Sequence, residues 1–313
     1  MSTIKNLQQK YFSKISPLDL EILISHTIGK PKEFILTHPE FELDELKIKN
    51  LKFKIARRAK GEPVAYITGC KEFYGLDFKV NKNVLIPRPE TEQIVELVIS
   101  NLPACPVDRQ SVIWKNKKIV IIDIGTGSGN IIISIAKWLK KSKLPITNYQ
   151  LLASDISSKS LRVAKQNAKK HKVENKIKFL QGDLLKPFVK NKIFKIQNSK
   201  FKILITANLP YLSRKIYDST PADVKKYEPK FALYSPKNGL EHYEKLFKQI
   251  KIIIPCYMLH ATCYMEISPE QKNKLAKLIK NYFPQSKTVF HKDLAEKWRV
   301  CEINITPKKS VLV

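Results

Sequence analysis

From residue 118 onward, short apolar runs alternate with stretches whose apolar positions recur every three or four residues. The runs are KIVIIDIG (118–125), YQLLASDI (149–156), IKFLQGD (177–183) and FKILITANLPY (201–211). Helical spacing follows the first run to about 140 and the second over 158–171. A helix near 239–251, a strand near 258–267, a helix near 270–282 and two closing strands in KTVFHKDL and WRVCEINI complete the series. Such alternation predicts a doubly wound, Rossmann-like α/β sheet with helices on both faces. The short link between the last two strands predicts an antiparallel pair. Residues 189–200 read as a polar loop.

The first 70 residues carry helical spacing only. Ser16-Pro17-Leu18-Asp19 is a helix start, with a capping hydroxyl, proline at the first helical position and an acid in the first turn; Gly29 marks the stop. Leu43, Leu46, Leu51 and Ile55 predict a second helix ending before Gly61 and Pro63. In the next stretch, Phe78 and Val80 alternate with polar residues, Asn81-Lys82-Asn83 has turn chemistry, and Val84 and Ile86 resume the alternation. That pattern predicts a β-hairpin. The expected organisation is a helical module (1–70), a hairpin linker (71–89) and an α/β domain (90–313).

Composition narrows the class. A chain of 313 residues that is 43% hydrophobic can fill one large or two medium domains. The opening MSTIKNLQQK lacks the apolar core of a secretory leader. The longest apolar run, 252–267, is interrupted by Pro255, His260 and Glu266 and reads as a buried strand with its flanks, not a membrane span. Cys70, Cys105, Cys256, Cys263 and Cys301 show no C-x-x-C spacing. They predict reduced thiols in a cytoplasmic protein without a zinc site or disulfide framework, and no metal is expected. Net charge is +29, yet only seven of the 57 basic residues are arginines and the lysines are spread along the chain. That distribution fits solvated helix faces better than a dedicated nucleic-acid surface, although it favours acidic partners in general.

The chemistry gathers at the ends of the predicted strands. In VIIDIGTGSGNI, Asp123 precedes Gly125, Gly127 and Gly129, with Thr126 and Ser128 between them. Glycines permit the tight turn and let a ligand lie against backbone N–H groups at a helix N-terminus. A nicotinamide fingerprint would place its third glycine at 130, where this chain has Asn130. The G-x-G-x-G spacing behind an acid fits S-adenosylmethionine better, its carboxylate suiting the N–H groups and its ammonium the acidic neighbour. Asp155 closes the second strand and can accept ribose hydroxyls or cap the following helix. At the third strand end, Asp183 can meet an adenine amino group and Leu184 its ring face, or Gly182-Asp183 can be a plain turn.

The fourth strand runs into Asn208-Leu209-Pro210-Tyr211. The Asn208 side-chain carbonyl and the backbone carbonyl of Leu209, stiffened by Pro210, form two acceptors for an –NH2 group, and Tyr211 can cover its planar face. A carboxamide or an exocyclic base amine would fit.

With RRAKGEPVAYITG, EFYGL and VLIPRPETE (57–92) added to DIGTGSGNI, SDIS, GDLL, EPKFALYSPKNGLEHY and the ending EIS…KDL…WRV, nearly the whole chain resembles the glutamine N5-methyltransferases of peptide-chain release factors. The resemblance implies a seven-stranded S-adenosylmethionine-dependent domain and an N-terminal helical bundle that docks a class 1 release factor. The modified atom would be the amide nitrogen of the glutamine in a Gly-Gly-Gln loop. A monomer with no membrane association and no stable nucleic-acid binding is expected. One departure stands out: the family's tetrapeptide is Asn-Pro-Pro-Tyr, and position 209 here is leucine. Asn-Leu-Pro-Tyr also occurs in adenine dimethyltransferases of ribosomal RNA, so a base-amine methyltransferase is the competing enzyme reading. A silent adaptor that only binds cofactor is the third reading, opposed by the intact glycine loop, Asp155 and Asn208. Arg88 and Glu90 are expected to line or brace the mouth of the site.

Overall fold

A computed structural model of the chain describes residues 1–102, 118–142, 149–191, 201–257 and 260–306. The N-terminal module contains five helices: α1 (Ile4–Tyr11), α2 (Pro17–Ile28), α3 (Lys32–Thr37), α4 (Glu45–Ala59) and α5 (Val64–Thr68). Two short strands, β1 (Ser2–Thr3) and β2 (Glu42–Leu43), pair antiparallel beside them. The expected caps are present: Ser16 accepts from the Asp19 N–H at 3.2 Å, and Gly29 closes α2 at φ +71°. Leu7, Leu20, Leu23, Ile24, Leu51 and Ile55 form the core of this module. The α4 pattern differs from expectation at its start. Asp44 caps the helix, Leu43 is buried ahead of it, and Leu46 is 81% exposed.

The hairpin lies earlier than Asn81-Lys82-Asn83. Its strands are β3 (Cys70–Phe73) and β4 (Leu76–Lys79), paired from Cys70↔Lys79 to Phe73↔Leu76. Tyr74 and Gly75 form the turn, both at positive φ (+53° and +67°), which suits the twist of a two-residue hairpin loop. Residues 81–88 are not a strand. Val80 and Val84 are buried against Val163 instead, so their alternation has a different cause.

The α/β domain holds a seven-stranded sheet in the order β10-β11-β9-β8-β5-β6-β7. Its members are β5 (Lys118–Ile124), β6 (Tyr149–Asp155), β7 (Ile177–Gln181), β8 (Phe201–Ala207), β9 (His260–Glu266), β10 (Lys287–Lys292) and β11 (Trp298–Ile305). All pairings are parallel except those of β11 with β9 and β10, so the closing pair is antiparallel as expected. Alternation along central β5 divides two cores: Ile119 and Ile121 pack on one face, Val120, Ile122 and Ile124 on the other.

The first face is covered by α6 (Glu92–Ser100), α7 (Asn130–Lys141) and α8 (Ser158–Lys170). The second is covered by α13 (Glu241–Tyr257) and α14 (Lys272–Tyr282). Between them in sequence lie the short helices α9 (Lys186–Lys190), α10 (Arg214–Ser219), α11 (Ala222–Tyr227) and α12 (Pro236–Gly239). Helix α13 runs to Tyr257, past the expected stop at 251, because an apolar run does not by itself distinguish buried helix from strand. Among the described residues no helix is long and apolar enough to cross a membrane. Cys70, Cys263 and Cys301 are free thiols. Cys105, the side chain of Cys256 and most of the 189–200 loop lie outside the described residues.

The fully buried Asn167 of α8 joins the hairpin to the loop that follows β5. Its Oδ1 accepts from the Lys79 N–H at 2.7 Å, and its Nδ2 donates to Lys79 O at 3.0 Å and Ser128 O at 2.9 Å. Removing one partner from a buried hydrogen-bonded group leaves the other's desolvation uncompensated. N167A is therefore expected to cost about 2–3 kcal/mol of stability, read from the urea midpoint at unchanged m.

Candidate active site

Strand order reverses at β5, which has β8 on one side and β6 on the other, and parallel sheets open a crevice at such a point beyond the strand C-termini. The cleft found there is walled by Gly125 to Ser128 after β5, Asp155 and Ile156 after β6, Gly182 to Leu184 after β7 and Asn208 to Pro210 after β8. The lining is completed by Asn83, Val84, Leu85, Pro87 and Arg88 of the linker, Thr91 just after it, and Phe231, Ala232, His242 and Lys245. The four strand-end loops picked out in the sequence thus converge on one space.

The glycine loop is built for close approach. Gly125 and Gly127 sit at φ +67° and +54°, where side chains are disfavoured, and a Cβ on Gly125 would come within 3.0 Å of Leu209 Cδ2. Three loop amides are satisfied inside the protein: Thr126 N–H donates to Ser154 O, Gly127 N–H to Asp155 Oδ2 at 2.9 Å, and Gly129 N–H to Thr126 O. The Gly127 amide is therefore committed to Asp155, contrary to the expectation of a bare donor. Asp155 takes a second backbone donor from Ser157 at 2.8 Å while still lining the cleft. The cap of α8 is Ser157 itself, accepting from Ser160 N–H at 3.2 Å. Burial pushes the Asp155 carboxyl up from its ordinary value, opposed by the Ser157 and Gly127 donors.

Two expected cofactor residues sit elsewhere. Asp123 is buried beneath the loop, off the cleft wall, accepting the Thr126 hydroxyl at 2.6 Å and the Thr206 hydroxyl at 2.8 Å. Thr206 is its register partner on β8. Gly129 is off the wall too; a Cβ there would lie 2.7 Å from Ile133 Cδ1 and 3.2 Å from Ala164 Cβ, so it serves the packing of α7 on α8. Asp183 lines the cleft and pairs with Lys186 at 2.7 Å. Leu184 lines it at φ +54°, its carbonyl accepting the buried Ser154 hydroxyl at 2.8 Å.

At the β8 end, Asn208 Nδ2 donates to Thr91 Oγ1 at 3.0 Å and to Glu266 Oε2 at 2.9 Å. The Tyr211 hydroxyl donates to the other oxygen, Glu266 Oε1, at 2.9 Å, and the Tyr243 hydroxyl to the Glu266 backbone carbonyl. Tyr211 faces a second, adjoining cavity shared with Leu85, Arg88, Asn208 and Ala232, not the main cleft. Burial raises the Glu266 carboxyl above its ordinary range, opposed by hydrogen bonds from Thr91 and Tyr211. Burial and then the Glu266 charge hold the Tyr211 phenol protonated. Leu209 is buried, its side chain against Gly125. Behind the tetrapeptide, Gln271 Nε2 donates to Tyr211 O at 2.9 Å and Asn238 O at 3.2 Å. Gly239 approaches so closely that a Cβ would stand 2.0 Å from Tyr211 O.

Arg88 braces the mouth through Glu228, whose second oxygen accepts from the Ile86 N–H at 3.3 Å. Glu90 lies 3.8 Å from Arg299 and is off the cleft wall. Thr91, Glu228, Glu266 and Gln271 were not identified from sequence. Glu266 alone carried a signal, as an acid ending a buried strand like Asp155.

A seven-stranded sheet with this loop set defines the S-adenosylmethionine-dependent methyltransferase fold. Comparison with known proteins narrows it. Residues 2–69 match the PrmC N-terminal domain and residues 115–296 a methyltransferase domain. A release factor glutamine methyltransferase of Dictyoglomus turgidum is 36% identical over 85% of this chain and 83% of its own. A bifunctional methyltransferase of Rickettsia bellii is 32% identical over 92% of this chain, which spans 51% of that protein's length. The chain belongs to the release factor glutamine methyltransferase family. Among solved structures, the hMettl16 catalytic domain in complex with a MAT2A 3'UTR hairpin has a TM-score of 0.52 at 11% identity, covering 91% of this chain and 92% of that one, which shows the fold alone.

Desolvation, only partly offset by the Thr126 and Thr206 hydroxyls, raises the Asp123 carboxyl to about 7. Because the folded-state value is raised, the stabilisation belongs to the protonated form: it is full below the ordinary aspartate value and lost as pH rises through about 7. Between pH 5 and 8 the wild type should lose roughly 2–3 kcal/mol of stability relative to D123N, measured by urea unfolding of both proteins.

Proposed function

We propose that this protein methylates the side-chain amide nitrogen of the glutamine in the Gly-Gly-Gln motif of class 1 release factors, using S-adenosylmethionine. The observation that carries the reading is Asn208, whose two amide hydrogens are taken by Thr91 and Glu266 on a residue shared by two adjoining cavities. One cavity suits the donor and the other the acceptor.

The cleft has the features the donor needs. Gly125 and Gly127 bring backbone close without side chains, Asp155 keeps lone pairs for ribose hydroxyls, and Asp183 with Leu184 offers an acceptor and an apolar face to adenine. When bound, S-adenosylmethionine supplies a methyl group already activated by a sulfonium. The chain's own task is positioning. An amide nitrogen is a weak nucleophile because its lone pair is delocalised. Asn208 Oδ1 and the Leu209 carbonyl would accept its hydrogens and favour the more positive, pyramidal nitrogen of the transition state over the flat amide. Holding the reacting groups in one geometry contributes several kcal/mol more. The proton released from nitrogen passes to water.

Leucine at 209 retains the backbone carbonyl asked of that position, and its side chain packs on the donor loop. Residues 1–70 would dock the release factor, with 71–89 linking them to the catalytic domain at 90–313. The protein would act as a cytoplasmic monomer without stable nucleic-acid binding; its scattered cysteines support the compartment and its diffuse lysines the lack of a nucleic-acid surface.

Purified protein offered release factor and RNA with labelled donor is expected to modify the Gly-Gly-Gln peptide, seen as one added methyl by mass spectrometry. Transfer to RNA alone would establish the base-amine alternative. In that assay N208A should lower turnover at least tenfold with little change in donor affinity. D155A should weaken donor binding about tenfold by calorimetry through lost ribose contacts, and unchanged binding would reduce Asp155 to a loop brace.

A further inference from the structure

Asn208 acts, in the reading above, through one particular atom of a nearly symmetric carboxamide, and rotating that group by 180° would present hydrogens where an acceptor is needed. Three hydrogen bonds decide the matter. The single hydroxyl hydrogen of Thr91 goes to Glu266 Oε2 at 2.5 Å, and in that arrangement Thr91 Oγ1 receives from Asn208. Glu266 Oε2 also receives the second Nδ2 hydrogen of Asn208, while Tyr211 donates to Oε1. With Glu266 ionised, the form its donors Thr91, Asn208 and Tyr211 favour, the carboxylate is acceptor-only, so the flipped amide would set Asn208 Oδ1 against an Oε2 with no hydrogen to offer and could be met only by drawing the Thr91 hydroxyl away from Glu266. Among the described residues Asn208 Oδ1 has no hydrogen-bond partner of its own.

We infer that Glu266 is a positioning residue for methyl transfer: buried at the end of β9, it fixes the Asn208 amide with its oxygen toward the acceptor and ties Tyr211 to the same anchor. The carboxylate never touches the acceptor; it acts through Asn208 and Thr91. The orientation follows from the hydrogen bonds alone, and its effect on turnover rests on the proposed function.

Glu266→Gln tests this with almost no change of shape. A glutamine can donate as well as accept, so it removes the rule that forbids the flip. E266Q is expected to lower kcat on the order of a hundredfold, as the loss of a preorganised transition-state contact does, with donor affinity unchanged. The exchanged pair N208D/E266Q makes position 208 acceptor-only in either orientation and should regain at least about tenfold over E266Q. A mere packing role for Glu266 would not produce that rescue. In protein labelled with 15N-asparagine, the Asn208 side-chain hydrogens, assigned through N208D, should exchange slowly in the wild type and rapidly in E266Q.

Wild-type turnover and unaltered Asn208 exchange in E266Q would overturn the inference, as would a folded double variant no better than E266Q. If E266Q fails to fold, Thr91 carries the same test: T91V should speed exchange of the Asn208 hydrogens and T91S restore it, and equal exchange in both would overturn the inference. Protected Asn208 hydrogens in a protein that does not methylate release factor would refute the proposed substrate while leaving the orientation intact.

Discussion

The site depends on a buried carboxylate that never reaches it. Asp123 accepts one hydroxyl from the glycine loop that follows its own strand and another from the neighbouring strand that leads into Asn208. Both bonds lie beneath the surface on which a ligand would rest. They tie the loop of one strand to the end of the next, so the two walls of the cleft keep a common reference. Because Leu209 packs directly on Gly125, a shift in either wall is felt by the other. The weak point of such an anchor is its charge, since the hydroxyls recover only part of the hydration that Asp123 gives up.

Another part of the lining has a different origin. Residues 81–91 form no strand of the sheet, yet they supply Asn83, Val84, Leu85, Pro87, Arg88 and Thr91 to the cleft. Irregular backbone can be held there because its polar groups find partners at a distance. The Tyr66 hydroxyl donates to Val84 O, the Ser160 hydroxyl to Asn83 O, and Ile86 N–H to Glu228. Tyr66 belongs to the helical module, and Tyr227 bonds Lys60 O from the α/β side. The linker is therefore part of the site's wall as well as a connection.

Much of this was legible in the chain. Continuous apolar runs placed the buried strands, three-to-four spacing placed the helices between them, and the alternating glycines after Asp123 marked the loop. Errors arose where one pattern has two physical causes. Val80, Val84 and Ile86 are buried by a segment that forms no strand, with Lys82 between them exposed and Pro87 buried beside Ile86, while the true hairpin turns at Tyr74, a tyrosine held at positive φ. Leu46 keeps helical spacing but faces solvent. Asp123 and Gly129 sit in the right motif, and only the folded chain shows that one faces inward and the other a helix. Thr91 and Glu266 were hidden for a simpler reason: their contact spans 175 positions.

Gly239 shows how narrowly such a site is confined. Its missing side chain lets the 235–239 turn lie against the carbonyl of Tyr211, where even a methyl group would overlap it, and the turn's φ of +84° independently disfavours any replacement. A position that is asked only for its backbone carbonyl, as 209 is, can accept any side chain that its surroundings can pack. Position 239 offers no such latitude: any side chain there would have to push the turn off Tyr211, so this one residue tolerates no substitution while the loop keeps its place.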